Sequence, residues 1–222
     1  MSGNPPRATV DNFWLTKLSQ VQKELHNRNF GAHIADTTDQ ARDLVLNDIL
    51  PGLTFDTMSW GDSMTLAATR LVQDIPDRHP TKVIKTFEAG VPRPELIERR
   101  RRALLADLFL TGSNALTEDG RLINLDMVGN RVSGITFGPK HVIICIGRNK
   151  IVPGLHAGMA RIKHLSAPAN ALRHGFKTPC AKTGKCHECN SPQRLCNTWT
   201  ITEHSFPAQR IQIVLINQEL GL

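Results

Sequence analysis

Aromatic side chains are scarce in this chain of 222 residues: tyrosine is absent, and phenylalanine and tryptophan make up the 5% that is aromatic. Proteins that bind single-stranded nucleic acid stack the bases on such side chains. The scarcity therefore argues against nucleic acid as the partner, although the net charge of +7 and the pI near 9.5 would suit phosphate. We expect a small anionic ligand instead.

Long hydrophobic runs are also missing. The longest is the short VIICIG near position 144, far below the ~20 residues of a membrane span. The amino-terminal stretch MSGNPPRATV contains no apolar run either, so we expect a cytoplasmic protein without a membrane span. Thiols stay reduced in that compartment, and the five cysteines therefore point to metal ligation or redox chemistry more than to disulfides.

The order of predicted elements indicates an α/β fold. Residues 1–10 read as a disordered tail, and apolar residues then recur with helical period up to about Asn27. Further on, predicted helices alternate with predicted strands, which is typical of α/β domains. The continuous apolar run KHVIICIG suits a strand buried on both faces of a parallel sheet, and Asp119-Gly120 predicts a β-hairpin turn.

Three predicted strands end in polar, glycine-containing loops, at residues 61–63, 111–114 and 147–150. If these strands are parallel, the loops meet at one sheet edge, where ligands of open α/β sheets bind. Backbone amides at the glycines, together with the side chains of Asn130-Arg131 and Asn149-Lys150, would suit carboxylate or phosphate. The alternative is ordinary turn and helix-cap chemistry, which each loop alone also fits.

Two further charged features each allow two interpretations. Glu118 flanks the predicted hairpin turn opposite Arg121, so a cross-strand ion pair is favoured over a role as general acid or base. In the run of arginines from position 99 to 102, four consecutive helical residues sweep about 300°. Arg100 or Arg101 should therefore turn inward and need an acidic partner or a ligand, unless its stem packs on the core with its head in water.

Four of the five cysteines fall in a segment without helical or strand periodicity, where a long irregular loop needs an anchor. We expect Cys180, Cys186, Cys189 and Cys196 to ligate a metal or cluster. Zinc sites normally use two short cysteine pairs, and only one C-x-x-C is present, so an iron-sulfur cluster is favoured over zinc. His187 is read as a bystander, and Cys145 as a small core residue.

The segments WGDSMTL, LFLTGSNALTEDGRLINLDMVGNRVSGITFGPKHVIICIGRNKIV and PCAKTGKCHECNSPQRLCNTWTITE resemble motifs of the lactate utilization protein domain family. The likeness extends from about Phe13 to the end. It implies a Rossmann-like α/β fold, similar to that of sugar-phosphate isomerases and CoA transferases: a mostly parallel sheet with flanking helices, a β-hairpin and a Cys-rich C-terminal loop. One domain would then span residues 11–222, with a metal-binding segment at 177–200.

The resemblance also implies a role. Members encoded with iron-sulfur partner proteins belong to a system that oxidises L-lactate to pyruvate, so it implies an accessory or electron-transfer part in that oxidation, with a 4Fe-4S cluster. It implies no particular chemical step, and Glu118 is the one catalytic candidate. A zinc-stabilised regulatory or scaffolding module stays as the alternative. Matching motif positions imply an anionic metabolite or nucleotide at these residues: Gly61, Asp62, Ser63, Thr65, Asn114, Asn130, Arg131, Asn149 and Lys150.

Overall fold

A six-stranded parallel sheet forms the centre of the computed structural model, which describes residues 6–222 apart from the side chain of Arg7. Its strands follow the spatial order β1-β10-β7-β4-β2-β3, and every neighbouring pair is parallel. The bounds are β1 (Gly31–Ala35), β2 (Thr57–Trp60), β3 (Lys82–Val83), β4 (Leu108–Gly112), β7 (His141–Gly147) and β10 (Ile211–Ile216). The predicted Rossmann-like α/β fold is confirmed.

A second, mixed sheet lies beyond the carboxyl end of β4. It has the order β8-β5-β6-β9, with bounds β5 (Ala115–Thr117), β6 (Leu122–Asp126), β8 (Ile151–Val152) and β9 (Thr198–Thr202). Strands β5 and β6 are antiparallel and are joined by the turn that contains Asp119-Gly120, so the predicted hairpin is confirmed. The segment that follows the cysteines returns to this sheet as β9.

The helices lie between the strands along the chain. They are α1 (Arg7–Asn27), α2 (Thr38–Leu44), α3 (Met64–Thr69), α4 (Leu71–Arg78), α5 (Arg93–Ala103), α6 (Asn130–Thr136), α7 (Leu155–Arg161), α8 (Ala167–Arg173) and α9 (Pro179–Thr183). Wider turns at Val45–Ile49 and Ile162–Ser166 continue α2 and join α7 to α8. Among the described residues, no helix is long and apolar enough to cross a membrane.

The predicted amino-terminal tail needs a correction. Its first five residues lie outside the described part of the chain, and residues 7–10 already belong to α1. Pro6 precedes the helix in an extended conformation, and its carbonyl accepts hydrogen bonds from Thr9 and Val10. The helix therefore starts at Arg7, directly after Pro6.

The central sheet is buried on both faces, and β7 shows why its sequence is continuously apolar. Val142, Ile144 and Ile146 pack in the core on one face, together with α1. Ile143 and Cys145 pack on the other face, in the core that includes residues of α2, α3 and α4. The prediction that Cys145 is a small core residue is therefore confirmed, and burial raises the pKa of its thiol to about 12.

The amino ends of β2 and β4 are fastened by one carboxylate. Asp107 Oδ2 accepts hydrogen bonds from the backbone amides of Asp56 and Thr57 and from the Thr57 hydroxyl, at 3.1, 3.0 and 2.7 Å. Lys140 Nζ lies 2.7 Å from the other carboxylate oxygen. Hydrogen bonds from Lys140 and Thr57 hold the pKa of this carboxyl below its usual value.

We expect Asp107→Asn to lower the free energy of unfolding at pH 7 by about 1.5–3 kcal/mol, the range for hydrogen bonds to a charged group. Because the pKa is lowered in the folded state, the stabilisation exists above the unfolded-state pKa of about 3.9 and disappears as pH falls through the folded value. Urea titrations at several pH values check this. Asp56→Asn, which changes a nearby exposed side chain, is the control. An equal loss of unfolding free energy in both variants would contradict the stabilising role of the Asp107 carboxylate.

Candidate functional site

A cavity of about 510 Å³ opens beyond the carboxyl ends of β2 and β4, where the sequence predicted that the polar loops meet. Strands β2, β4 and β7 are parallel and adjacent, so the loops that follow them reach the same edge. The wall contains six of the nine residues predicted to bind a ligand: Asp62, Ser63, Asn114, Asn130, Arg131 and Lys150. Gly61, Thr65 and Asn149 do not line it.

The loop after β2 places a hydroxyl at the cavity. Ser63 caps α3, and its Oγ accepts a hydrogen bond from the amide of Leu66 at 3.1 Å. Gly61 allows close packing behind it, because a Cβ there would lie 2.9 Å from Arg131 Cγ and 2.8 Å from Thr111 Oγ1. The helix-cap interpretation of Ser63 is thus confirmed, and the same residue also lies in the cavity wall.

Arg131 connects the two sheets below the cavity. Its Nη1 donates to the Gly112 carbonyl and to Asn124 Oδ1, at 3.2 and 2.6 Å. Its Nη2 donates to Asn114 Oδ1 and to the Leu125 carbonyl, at 2.8 and 3.1 Å. These four bonds use the terminal nitrogens of the guanidinium, which indicates that Arg131 organises the wall and has little capacity left for a ligand.

Lys150 is the buried cation of the cavity, 4% exposed. Its Nζ donates to Thr65 Oγ1 at 2.8 Å, and the Thr65 hydroxyl donates to the Leu220 carbonyl at 3.0 Å. Asn149 also holds this terminal segment, since its Oδ1 accepts from the amide of Leu220 at 3.1 Å. Thr65 and Asn149 therefore support Lys150 and the chain that covers it.

The ammonium of Lys150 has cationic neighbours. Burial, together with the nearby guanidinium groups of Arg161 and Arg131, lowers the pKa of Lys150 to about 7. Among residues 6–222, no carboxylate forms an ion pair with it. A lysine that is buried among cations suits either an anion or an electrophile.

Helix α5 contributes the inward-turned arginine that the sequence predicted. Arg100 lines the cavity, its guanidinium lies 5.2 Å from the centre of the Phe87 ring, and its buried Nε has no hydrogen-bond partner in the described chain. Arg99 and Arg101 pair with glutamates on the surface instead. Burial lowers the pKa of Arg100, and an anion in the cavity would satisfy its free donor.

An acidic side chain and two basic ones meet at the rim of the cavity. Asp62 forms an ion pair with Arg173, and its Oδ2 lies 3.2 Å from Nε2 of His174. The His174 ring stacks on Phe176 at 5.4 Å. Arg173 and His174 lie at the end of α8, and no local sequence signal marks them, because only the fold brings that end to the loop after β2.

Glu118, the catalytic candidate, lies outside the cavity wall. Its carboxylate pairs with Lys17 of α1 at 2.7 Å. The predicted ion pair with Arg121 is wrong, because Arg121 contacts Asp119 and Glu203. The hairpin turn brings Asp119 to Arg121 and leaves Glu118 directed to α1, so Glu118 stabilises the packing of the hairpin on that helix.

The four clustered cysteines line a second, much smaller cavity, of about 20 Å³. Arg194 shapes the loop around it by donating to the carbonyls of Cys189 and Cys196, at 2.5 and 2.9 Å. Burial raises the pKa of Cys196, and the neighbouring thiols of Cys186 and Cys180 raise it as well. In the described part of the chain, however, no three or more His, Cys, Asp or Glu side chains are arranged to hold a metal ion.

The two cavities are neighbours. Ala167 and Leu195 line both of them, and Pro192 and Gln193 of the cysteine segment line the larger one. Lys163 and Arg194 lie beside the thiols, where Glu188 pairs with both, at 2.7 and 3.6 Å. The cysteine segment is therefore part of the wall of the larger cavity as well as of its own.

The model of the LUD domain family matches residues 18–216 of the chain. The structure of a DUF162 family protein from Deinococcus radiodurans is similar, with a TM-score of 0.52 and 13% identity, covering 91% of this chain and 98% of that one. At this identity the likeness shows the fold alone. The tetrameric eIF2B β2δ2 complex from C. thermophilum has a TM-score of 0.37 and 14% identity, covering 93% of this chain and 58% of that one. None of the curated proteins matches the sequence.

Proposed function

Because the chain belongs to the LUD domain family, which is associated with lactate utilization, we propose that it is an accessory or electron-transfer component in the oxidation of L-lactate or a similar 2-hydroxy acid to the keto acid. In this proposal the larger cavity binds an anionic metabolite or nucleotide. The cysteine segment holds an iron-sulfur cluster beside it, and electrons pass to iron-sulfur partner proteins of the same system.

The charges of the larger cavity support an anionic ligand. Lys150 has a hydroxyl as its hydrogen-bond partner, and the buried Nε of Arg100 has none within residues 6–222. Burying such cations is costly unless an opposite charge accompanies them. A carboxylate or phosphate between α5 and the loop after β7 would supply that charge and accept hydrogen bonds from both groups.

The size of the cavity supports a ligand larger than lactate, or lactate together with a second molecule. A volume of about 510 Å³ lies within the range of about 300–1,000 Å³ that is typical of sites for drug-sized ligands and cofactors. Lactate has only six non-hydrogen atoms. Apolar wall residues such as Met64, Leu96 and Phe176 would suit the ring of a nucleotide.

The donor set of the smaller cavity supports a metal or cluster. Thiolates are the ligands of iron-sulfur clusters, and Cys180, Cys186, Cys189 and Cys196 all face one space. Lys163 and Arg194 beside them would offset the negative charge of a cluster. When bound, the cluster would supply one-electron transfer, and the thiol side chains would have to turn towards it.

The observation that carries this proposal is the shared wall. Ala167 and Leu195 border both cavities, so a centre at the thiols would lie next to whatever the larger cavity binds. A metal with a purely structural role would not need to lie next to the larger cavity. The shared wall therefore favours electron exchange between the ligand and the centre.

Ligand binding is tested with a pair of neighbouring arginines. Arg100→Gln is expected to weaken binding of the anionic ligand about ten-fold, since it removes one charge-assisted contact. Isothermal titration with L-lactate, pyruvate and adenine nucleotides measures the dissociation constants. Arg101→Gln is the matched control, because that side chain is 69% exposed and pairs with Glu98 on the surface. Equal affinities in the wild type and both variants would contradict the proposed ligand site.

A second candidate function is a zinc-stabilised regulatory or scaffolding module. The small volume of the cysteine cavity favours it, because about 20 Å³ suits one ion or one water better than a cluster. This candidate predicts one zinc per chain, no visible absorbance, and thermal stability that does not respond to lactate or pyruvate.

A further inference from the structure

We infer that the Lys150 amine is a nucleophile that forms an imine with the carbonyl carbon of a 2-keto acid or aldehyde bound in the larger cavity. The inference deepens the proposed function, on which it rests for the class of ligand. It assigns to this lysine a covalent role beyond attraction of an anion.

The first support is position. Lys150 lines the cavity, yet only 4% of its surface is exposed, so bulk water reaches its amine poorly. Lys150 ends the short helical turn Arg148–Lys150 after β7, and β8 begins at the next residue. A long side chain fixed at its base in this way is held in one place, as a nucleophile must be.

The second support is the hydrogen bonding of the amine. Nζ donates to Thr65 Oγ1 at 2.8 Å, and Thr65 donates onward to the Leu220 carbonyl. The Thr65 oxygen therefore acts as the acceptor of an N–H, and this leaves the nitrogen lone pair directed away from Thr65. A lysine intended only to neutralise a protein carboxylate would be paired with one, and Lys150 has no such partner among the described residues.

The third support is the charge around the amine. Arg161 lies nearby, fixed by hydrogen bonds to the carbonyls of Asn149 and Asn114, and Arg131 is fixed below the cavity. Burial and, to a smaller extent, the two guanidinium groups favour the neutral amine, which is the reactive form. The same cations would attract the carboxylate of a keto acid and thereby bring its carbonyl towards the amine.

The chemical step balances without an oxidant. The Nζ lone pair forms a bond to the carbonyl carbon, and the C–O π electrons move to oxygen. The two N–H protons of the neutral amine pass to that oxygen, which departs as water while the C=N bond forms, so amine and carbonyl give an imine and one water molecule. The reaction is reversible by the same water.

Reductive trapping tests the inference. The wild-type chain is incubated near pH 7 with pyruvate and sodium cyanoborohydride, and intact mass and peptide mapping locate any 1-carboxyethyl group. We expect one group on Lys150, formed about a hundred-fold faster than at surface lysines, because the neutral amine is the reactive form. Lys150→Arg should abolish it, and Lys85→Arg, at a lysine 59% exposed, should not.

Two results distinguish this inference from the proposed function. If pyruvate binds in isothermal titration but labels surface lysines only, the covalent role of Lys150 is refuted and the ligand site stands. If the wild type is labelled on Lys150 and Lys150→Arg carries no label there while Lys85→Arg is labelled like the wild type, the imine is supported. If pyruvate neither binds nor labels Lys150, both the inference and the keto-acid version of the proposed function fail.

Discussion

Cys189→Ser is expected to reduce the metal content of protein purified without oxygen from about one centre per chain to less than about a tenth of that, because metal affinity depends on each thiolate ligand. Cys189 belongs to the only C-x-x-C pair, with Cys186, and lines the small cavity with the other three thiols. A serine hydroxyl is a poor substitute, since it is not ionised near neutral pH. Iron and zinc analysis of the purified variant measures the loss.

The fifth cysteine provides the control for this experiment. Cys145 is fully buried in the central sheet, at a distance from the cysteine segment in both sequence and fold. Cys145→Ala should therefore leave the metal content unchanged. The assignment of the ligands would be contradicted if Cys189→Ser kept the wild-type metal content, or if Cys145→Ala lost as much.

Arg131→Met is expected to lower the free energy of unfolding by about 3–5 kcal/mol, the cost of removing one partner from a buried charged network. Met fills a similar volume but removes the guanidinium donor from the carbonyls of Gly112 and Leu125 and from the side-chain oxygens of Asn114 and Asn124. The two asparagine oxygens keep only their bonds from neighbouring groups of the same loop and strand. Asp126, whose Oδ2 lies 3.7 Å from the arginine Nε, would lose its ion pair as well.

For a domain of this length such a loss corresponds to a fall in melting temperature of roughly 10 °C. Arg101→Met is the matched control and should change stability by less than about 0.5 kcal/mol, because its ion pair is on the surface. Urea titration of both variants makes the comparison. If Arg131→Met were as stable as the control but bound ligand more weakly, Arg131 would be a ligand contact, as the sequence alone predicted.

The sequence was sufficient to predict the central sheet where residue patterns are strong. Each of three patterns predicts one kind of local structure: the apolar run of β7, the glycine loops after β2 and β4, and the Asp119-Gly120 turn. The three parallel strands could then be placed so that their loops converge, and six of the nine predicted residues do line one cavity.

Other elements have weak sequence patterns and could not be predicted. Strand β1 has the sequence GAHIA, in which glycine and alanine have low strand propensity, and it is stabilised by parallel pairing with β10, almost the whole chain away. The helical segment after Ser63 is interrupted at Arg70, which adopts a left-handed conformation and separates α3 from α4. Tertiary packing decided both cases.

The sequence predicted which loops form the candidate site, but it predicted less well which side chains face the cavity. Helical geometry correctly required an inward arginine in α5, and Arg100 is that residue. Asn149 and Thr65 turned out to support Lys150 from outside the wall, because a residue beside a ligand loop can direct its side chain either way. Arg173 and Gln193 reached the cavity through long-range contacts that no local pattern records.

We propose that the cysteine segment holds an electron-carrying centre next to the larger cavity. Iron and zinc analysis combined with visible absorbance, on wild-type protein purified and kept without oxygen, tests it most directly. We expect a brown protein with about four irons per chain, as for a 4Fe-4S cluster held by four cysteines. A colourless protein that contains zinc, or no metal at all, would contradict it.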